Sequence, residues 1–227
     1  MKIIGDPGSC HLGSFDKASE LVRIGANAGL DAVKFQLLTS NETKNGNIGM
    51  NWDWLPELIV LGDRLGVEVF ASVFDNSGID WVRKCGCKSI KFAHSQYLKY
   101  LQFNVLEKHF ENQYVSCDTS NDRIIENAVK LYCIPEYPVR YIIDFEGIFP
   151  RFDGFSSHCL GIEQDLKAMI MGAKYLEKHF QGDWESDCPD GAFALRQKDL
   201  TRLVDSVKKT TFDSSPSKPH HALGLKA

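Results

Sequence analysis

The sequence predicts an α/β fold, a compact (β/α)8 TIM barrel, on three observations. Short β-branched or aromatic runs alternate with helical-period segments through most of the chain, eight of each, the pattern of βα units around a parallel sheet. Several helical segments end on glycine just before the next run, at Gly29, Gly66, Gly86 and Gly172, the residue a left-handed C-cap prefers. At 227 residues the chain is slightly shorter than the ~250 typical of such barrels. A doubly wound open sheet is the runner-up, weakened because no Gly-x-Gly-x-x-Gly turn follows the first strand.

The expected strands are KIIGD (2–6), AVKFQLL (32–38), VEVFASV (67–73), SIKFA (89–93), YVSCD (114–118), KLYCI (130–134), GFSSH (154–158) and YLEKHF (175–180). DKASELVRIGANAG follows the first of them, with apolar residues at Ala18, Leu21, Val22 and Ile24 at helical spacing. WLPELIVLGDRLG, NSGIDWVRKCG, YLQFNVLEKHF and SNDRIIENAVK follow the next four. A short helical piece is expected near YIIDFEGIF, then IEQDLKAMIMGA, and RQKDLTRLVDSVKK closes the series. The barrel is therefore expected over 1–212. The last stretch (213–227), rich in Ser, Pro and His and ending PSKPHHALGLKA, reads as a flexible tail in which His220 and His221 are solvated.

With 43% hydrophobic residues the chain can build one large domain, and no internal repeat is evident. The net charge is −4 and no Lys/Arg block would track a phosphodiester backbone, which speaks against nucleic-acid binding. No run approaches the ~18 apolar residues of a membrane span, and MKIIGDPGSC lacks an apolar signal core, so a cytoplasmic protein with no membrane partner is expected. Seven cysteines, an odd and scattered count, argue against a fully paired secreted framework. Cys85 and Cys87 in KCGCK have the wrong spacing for a zinc knuckle and read as small thiols at a turn.

In a barrel the C-terminal strand ends form one rim, where polar side chains converge on the active site. Those ends carry Asp6, Lys34, Gln36, Ser72, Asp75, Lys91, Ser116, Tyr137, Ser156, His158, Glu177, Lys178 and His179. Lys34 and Lys91 sit inside apolar strands. A buried lysine needs an anionic partner, so either each pairs with a carboxylate such as Asp6 or Asp75, or together they bind an anion such as phosphate, with Ser72, Ser116 and Ser156 as donors. His158 and His179 end adjacent strands and could hold a divalent metal, with water or substrate oxygens completing its shell, or do acid–base work.

At these residues the chain resembles the sialic acid synthase family, barrel enzymes that condense phosphoenolpyruvate with an aminosugar aldehyde. The matching pieces are GDPGSCHLGSFDKASELV, GLDAVKFQ, FASVFDNSGIDWV, SIKFA, the EYP of CIPEYP, GFSSHCLG, GAKYLEKHF and CPDGAFALRQKDLTRLV. The resemblance implies that His158 and His179 hold Mn2+ or Mg2+. It implies that Lys34 and Lys91 hold phosphate, that Ser72, Ser116 and Ser156 contact phosphoenolpyruvate, and that Tyr137 lies near the sugar. Gln36 is placed with them at the substrate.

The chain also departs from the family. Asp6 stands where the family has a catalytic glutamate, and Cys10-His11-Leu12-Gly13 replaces an Asn-His-Asn-Gly turn. Ala93-His94-Ser95-Gln96 follows Lys91, and Ser116-Cys117-Asp118-Thr119 keeps only the serine of its run. The family's small antifreeze-like domain is not expected after HHALGLKA. Family members commonly dimerise, which leaves a homodimer open. The implied activity is a divergent condensation giving a 2-keto sugar acid, with Asp6 orienting water or assisting proton transfer. Two alternatives stand beside it: a different metal-dependent aldolase or isomerase, and a non-catalytic barrel that binds a phosphorylated ligand or a partner protein.

Overall fold

All eight apolar runs become strands in a computed structural model of the protein, which describes residues 1–40, 43, 46–96, 109–121, 127–184 and 188–213. They are β1 (Lys2–Asp6), β2 (Ala32–Leu37), β3 (Glu68–Val73), β4 (Ser89–Phe92), β5 (Asn112–Cys117), β6 (Val129–Cys133), β7 (Gly154–Ser157) and β8 (Tyr175–His179). Each pairs in parallel with its sequence neighbours, and β8 returns to β1 to close the barrel, with Asp6 level with His179. Parallel strands covered on both faces must be apolar nearly throughout, which is why these runs stand out.

Among the described residues five α-helices pack outside the ring: α1 (Phe15–Ala28), α2 (Leu55–Leu65), α3 (Asn76–Lys84), α4 (Glu163–Ile170) and α5 (Gln197–Asp213). The Ser14 hydroxyl caps α1 by accepting from the Lys17 amide. Gly29 and Gly66 end α1 and α2 at φ 82° and 75°, left-handed conformations that cost other residues energy. Asp75, expected at the rim, instead caps α3, its carboxylate accepting from the Gly78 amide at 2.8 Å. The helices expected at 100–110 and 120–130 fall largely outside the described residues, as does the tail beyond 213.

The strict alternation breaks between β6 and β7. Residues 141–153 form turns where a short helix was expected near YIIDFEGIF. Pro150 supplies no amide hydrogen and Gly147 sits at φ 69°, neither of which suits a helix interior. Aromatic bulk covers the strands instead: Phe145 lies 5.1 Å from Phe155, and Tyr132 lies 5.3 Å from Phe152, centroid to centroid. Each fully buried aromatic contributes about 1.5–3 kcal/mol of transfer free energy, so a loop rich in them can replace a helix as cladding.

Inside the ring, across the lower barrel, Phe70 stacks on Tyr114 and Tyr175 meets Tyr114 edge-on, with centroids 5.6 and 5.9 Å apart. This aromatic floor leaves the upper end for polar groups. The loops after β1 and β8 are joined by a disulfide, Cys10–Cys188, while the other five cysteines are free thiols. One bridge therefore exists where the cysteine count had spoken against complete pairing. No helix among the described residues is long and apolar enough to cross a membrane.

Candidate active site

Side chains alternate across a strand, so β8 turns Glu177 and His179 into the barrel and Lys178 outward. The same alternation aims Lys34 and Gln36 of β2, Ser72 of β3, Lys91 of β4, Ser116 of β5 and Ser156 of β7 inward. All ten side chains singled out for catalysis, substrate or metal line one cavity of about 520 Å3 at the C-terminal end of the strands. Lys178 is on the other side of the wall, 3.1 Å from Asp165 of α4 and donating to the Cys159 carbonyl at 2.6 Å.

The two lysines of the cavity are paired with carboxylates. Lys34 Nζ lies 2.7 Å from Asp6 Oδ2 and 3.5 Å from Glu177 Oε1. Lys91 Nζ donates to both Glu177 oxygens, at 2.9 and 2.7 Å. Asp6 is thus the partner foreseen for Lys34, Asp75 is not a partner, and Glu177 joins both lysines. Burial opposes ionisation of Glu177, but Lys34 and Lys91 outweigh it and hold the carboxyl at about 2. Burial likewise opposes Asp6, and Lys34 followed by His179 keeps it well below the usual carboxylate range. For Lys91 burial prevails over Glu177 and pulls the ammonium down.

Asp6 is held from several sides. Its Oδ1 accepts from the Gly8 amide at 2.9 Å, the Gln36 amide donates to both oxygens at 3.1–3.2 Å, and His179 Nε2 lies 3.3 Å from Oδ2. Ser156 donates to Glu177 at 3.1 Å and Ser72 to the Phe35 carbonyl at 3.4 Å. The Ser116 hydroxyl is buried without a hydrogen-bond partner.

His158 and His179 face each other with ring centroids 5.6 Å apart. His158 Nδ1 lies 3.0 Å from the Ile134 carbonyl, an acceptor, so this nitrogen donates and Nε2 keeps the lone pair. Burial, then neighbouring His179, pushes His158 down to about 3, leaving it neutral. His179 Nδ1 is buried with no hydrogen-bond partner. Among the described residues no group of three or more His, Cys, Asp or Glu is arranged to hold a metal. His158 Nε2 and the unpartnered His179 Nδ1 could still hold one as a pair.

On the far wall, sequence reasoning had singled out Tyr137 but passed over Phe193. Phe193 packs 4.9 Å from His179 and 5.7 Å from His158, and Tyr137 lies 4.1 Å from His158. The loop carrying Phe193 is fixed by the disulfide, by Asp190 accepting from the Ser9 amide at 3.0 Å, and by Gln181 donating to the Gly191 and Ala194 carbonyls. A Cβ on Gly8 would overlap Asp190, so this contact needs a glycine there. The matching segment CPDGAF was visible, but its placement against the histidines follows only from closing the barrel.

The fold and this rim define a TIM barrel with its polar groups gathered where barrel enzymes place their active sites. The chain belongs to the NeuB family, whose model matches residues 43–215. It is 26% identical to the N,N'-diacetyllegionaminic acid synthase of Legionella pneumophila, over 96% of this chain and 74% of that protein. It is 24% identical to human N-acetylneuraminate-9-phosphate synthase, over 91% of this chain and 69% of that one. Among solved structures, the N-acetylneuraminic acid synthetase of Leptospira borgpetersenii superposes with a TM-score of 0.77 at 19% identity, over 99% of this chain and 87% of that chain. The resemblance to sialic acid synthases thus holds for family and fold.

Proposed function

We propose that the protein condenses phosphoenolpyruvate with an aminosugar or related aldehyde, with a divalent metal, to give a 2-keto sugar acid and phosphate. The observation that carries this reading is the convergence of Lys34, Lys91 and the unpartnered Ser116 hydroxyl beside the His158–His179 pair in one cavity. An orphaned buried hydroxyl is costly and is explained if it donates to a ligand oxygen. Lys34 and Lys91 would bind the phosphate, sharing their charge with Asp6 and Glu177, and Ser72 and Ser156 can turn their hydroxyls to it.

Charge supports the metal. The two lysines are balanced by Asp6 and Glu177, so the cavity floor carries no net formal charge to offset a phosphoenolpyruvate anion. His158 through Nε2 and His179 through its unpartnered nitrogen are the residues that would hold a divalent ion, which when bound acts as a Lewis acid on the aldehyde. Tyr137 and Phe193 form an apolar collar over the histidines that orients the acceptor and sheds water. Asp6 stays ionised and takes hydrogen bonds from several donors, so it orients Lys34 and its neighbours and is a poor base.

Calorimetric titration of phosphoenolpyruvate into manganese-loaded protein, followed by a phosphate-release assay over a panel of acetamido aldohexoses, tests the reading. Binding that Lys34→Ala abolishes, with phosphate release that needs both substrates, is the expected result. A second reading, a barrel that binds an anion without turnover, draws on the carboxylates that already occupy both lysines. Tight binding with no phosphate release across the panel would favour it.

A further inference from the structure

Most proton-handling groups of the cavity are committed. Asp6 and Glu177 are ionised and bound to lysines, and His158 and His179 are the pair read above as metal ligands. Outside that network, His94 lines the cavity on the short turn His94–Gln96 after β4 and is held by a carboxylate. Its Nε2 lies 2.9 Å from Asp118 Oδ2, just past the end of β5. The Asp118 carboxylate is itself fixed, Oδ1 accepting from the Ser120 amide at 2.8 Å and from the Ser120 hydroxyl.

An ionised carboxylate accepts from Nε2–H, and in a neutral imidazole that leaves the lone pair on Nδ1. This is how a carboxylate prepares a histidine as a general base: it sets the tautomer, holds the ring and stabilises the imidazolium that forms. The slight burial of Asp118 opposes its ionisation, but hydrogen bonds from Ser120 and His94 outweigh it, so the acceptor is present.

We propose that His94 is the acid–base residue of this cavity and Asp118 its positioning residue, an inference that rests on the condensation reading above. C3 of phosphoenolpyruvate attacks the aldehyde carbon, the C2=C3 pair becomes the new C–C bond, and the carbonyl pair moves onto the aldehyde oxygen. Water adds to the cationic C2 and gives one proton to His94 Nδ1. The C2–O bond to the phosphate then breaks with its electron pair going to phosphate. The C2 hydroxyl becomes the keto oxygen as its proton passes to that phosphate, and the imidazolium returns its proton to the alkoxide left from the aldehyde.

The test measures phosphate release from phosphoenolpyruvate and acetamido aldohexoses with Mn2+, in wild type, His94→Ala, His94→Gln and Asp118→Asn. Titration of phosphoenolpyruvate into each variant checks that the cavity is intact. His94→Ala is expected to lower kcat by about 10²- to 10³-fold with little change in phosphoenolpyruvate affinity, and added imidazole to restore part of the rate. His94→Gln should be equally slow, and Asp118→Asn should lower kcat while leaving substrate affinity in place. An active wild type with an equally active His94→Ala overturns the proposal. So does a loss that imidazole does not rescue and that follows phosphoenolpyruvate affinity, which would make His94 a binding group. A wild type that binds phosphoenolpyruvate but releases no phosphate with any aldehyde overturns the condensation reading, and this inference with it.

Discussion

Lys91 and Glu177 form a bidentate ion pair across the width of the barrel, from β4 to the opposite strand β8, with both contacts under 3 Å and both side chains almost wholly buried. Glu177 also receives Lys34 and Ser156, so one carboxylate ties four strands together at the rim.

Removing it should be costly. Glu177→Ala leaves Lys91 buried and unpaired, and is expected to lower unfolding free energy by about 3–5 kcal/mol in urea titrations. Glu177→Gln retains an acceptor and should lose less. Equal stability of wild type and Glu177→Ala would contradict the pairing.

Ser116 makes the opposite prediction. Its hydroxyl has no partner, so Ser116→Ala deletes an unsatisfied polar group and should leave stability unchanged or raise it by up to about 1 kcal/mol. Phosphoenolpyruvate affinity should nonetheless fall about 10-fold, the worth of a hydrogen bond to a charged oxygen. Calorimetry and urea titration on the same protein measure both effects.

Metal removal should act through the imidazole pair. Chelation with EDTA is expected to abolish phosphate release, and His158→Ala or His179→Ala to weaken Mn2+ binding at least about 10-fold by calorimetry. Unchanged Mn2+ affinity in both variants would remove the metal from these residues.

His11 links stability to pH. Burial pushes it from 6.5 down to about 4, and its Nδ1 accepts from the Gly13 amide, a bond that protonation would break. The unfolded chain then binds the proton more readily than the folded one, so stability is complete above pH 6.5 and declines as pH falls towards 4. The loss amounts to up to roughly 3 kcal/mol. His11→Gln should flatten that slope in denaturation curves recorded between pH 4 and 7.

How far the sequence discloses this molecule follows from the range of each interaction. All eight strands were legible because burial on both faces leaves an apolar signature within five or six residues. Lys34, Lys91, His158 and His179 were legible because polar residues in or at the end of apolar runs stand out, although Lys178 in the same β8 run turns outward to Asp165. The partnership of Glu177 with both lysines was not, since its partners lie 86 and 143 positions away and strand alternation alone does not select among carboxylates. Asp75 was placed at the rim although its position before NSGI is that of a helix N-cap, a local signal that would have corrected it. The turn between β6 and β7 misled because hydrophobic spacing in YIIDFEGIF suggests a helix, whereas the aromatic side chains act there as cladding. His94 and Asp118 meet because β4 and β5 are neighbours, and neither has meaning alone.

The Cys10–Cys188 bridge joins the loops of the first and last strands, at the seam where the sheet closes on itself. Its sequence separation of 178 means that nearly the whole barrel lies within one covalent ring. A protease cut in any loop between those cysteines would therefore open the ring without releasing a fragment. The nicked chain would migrate as one species on a gel until a reductant separated its halves.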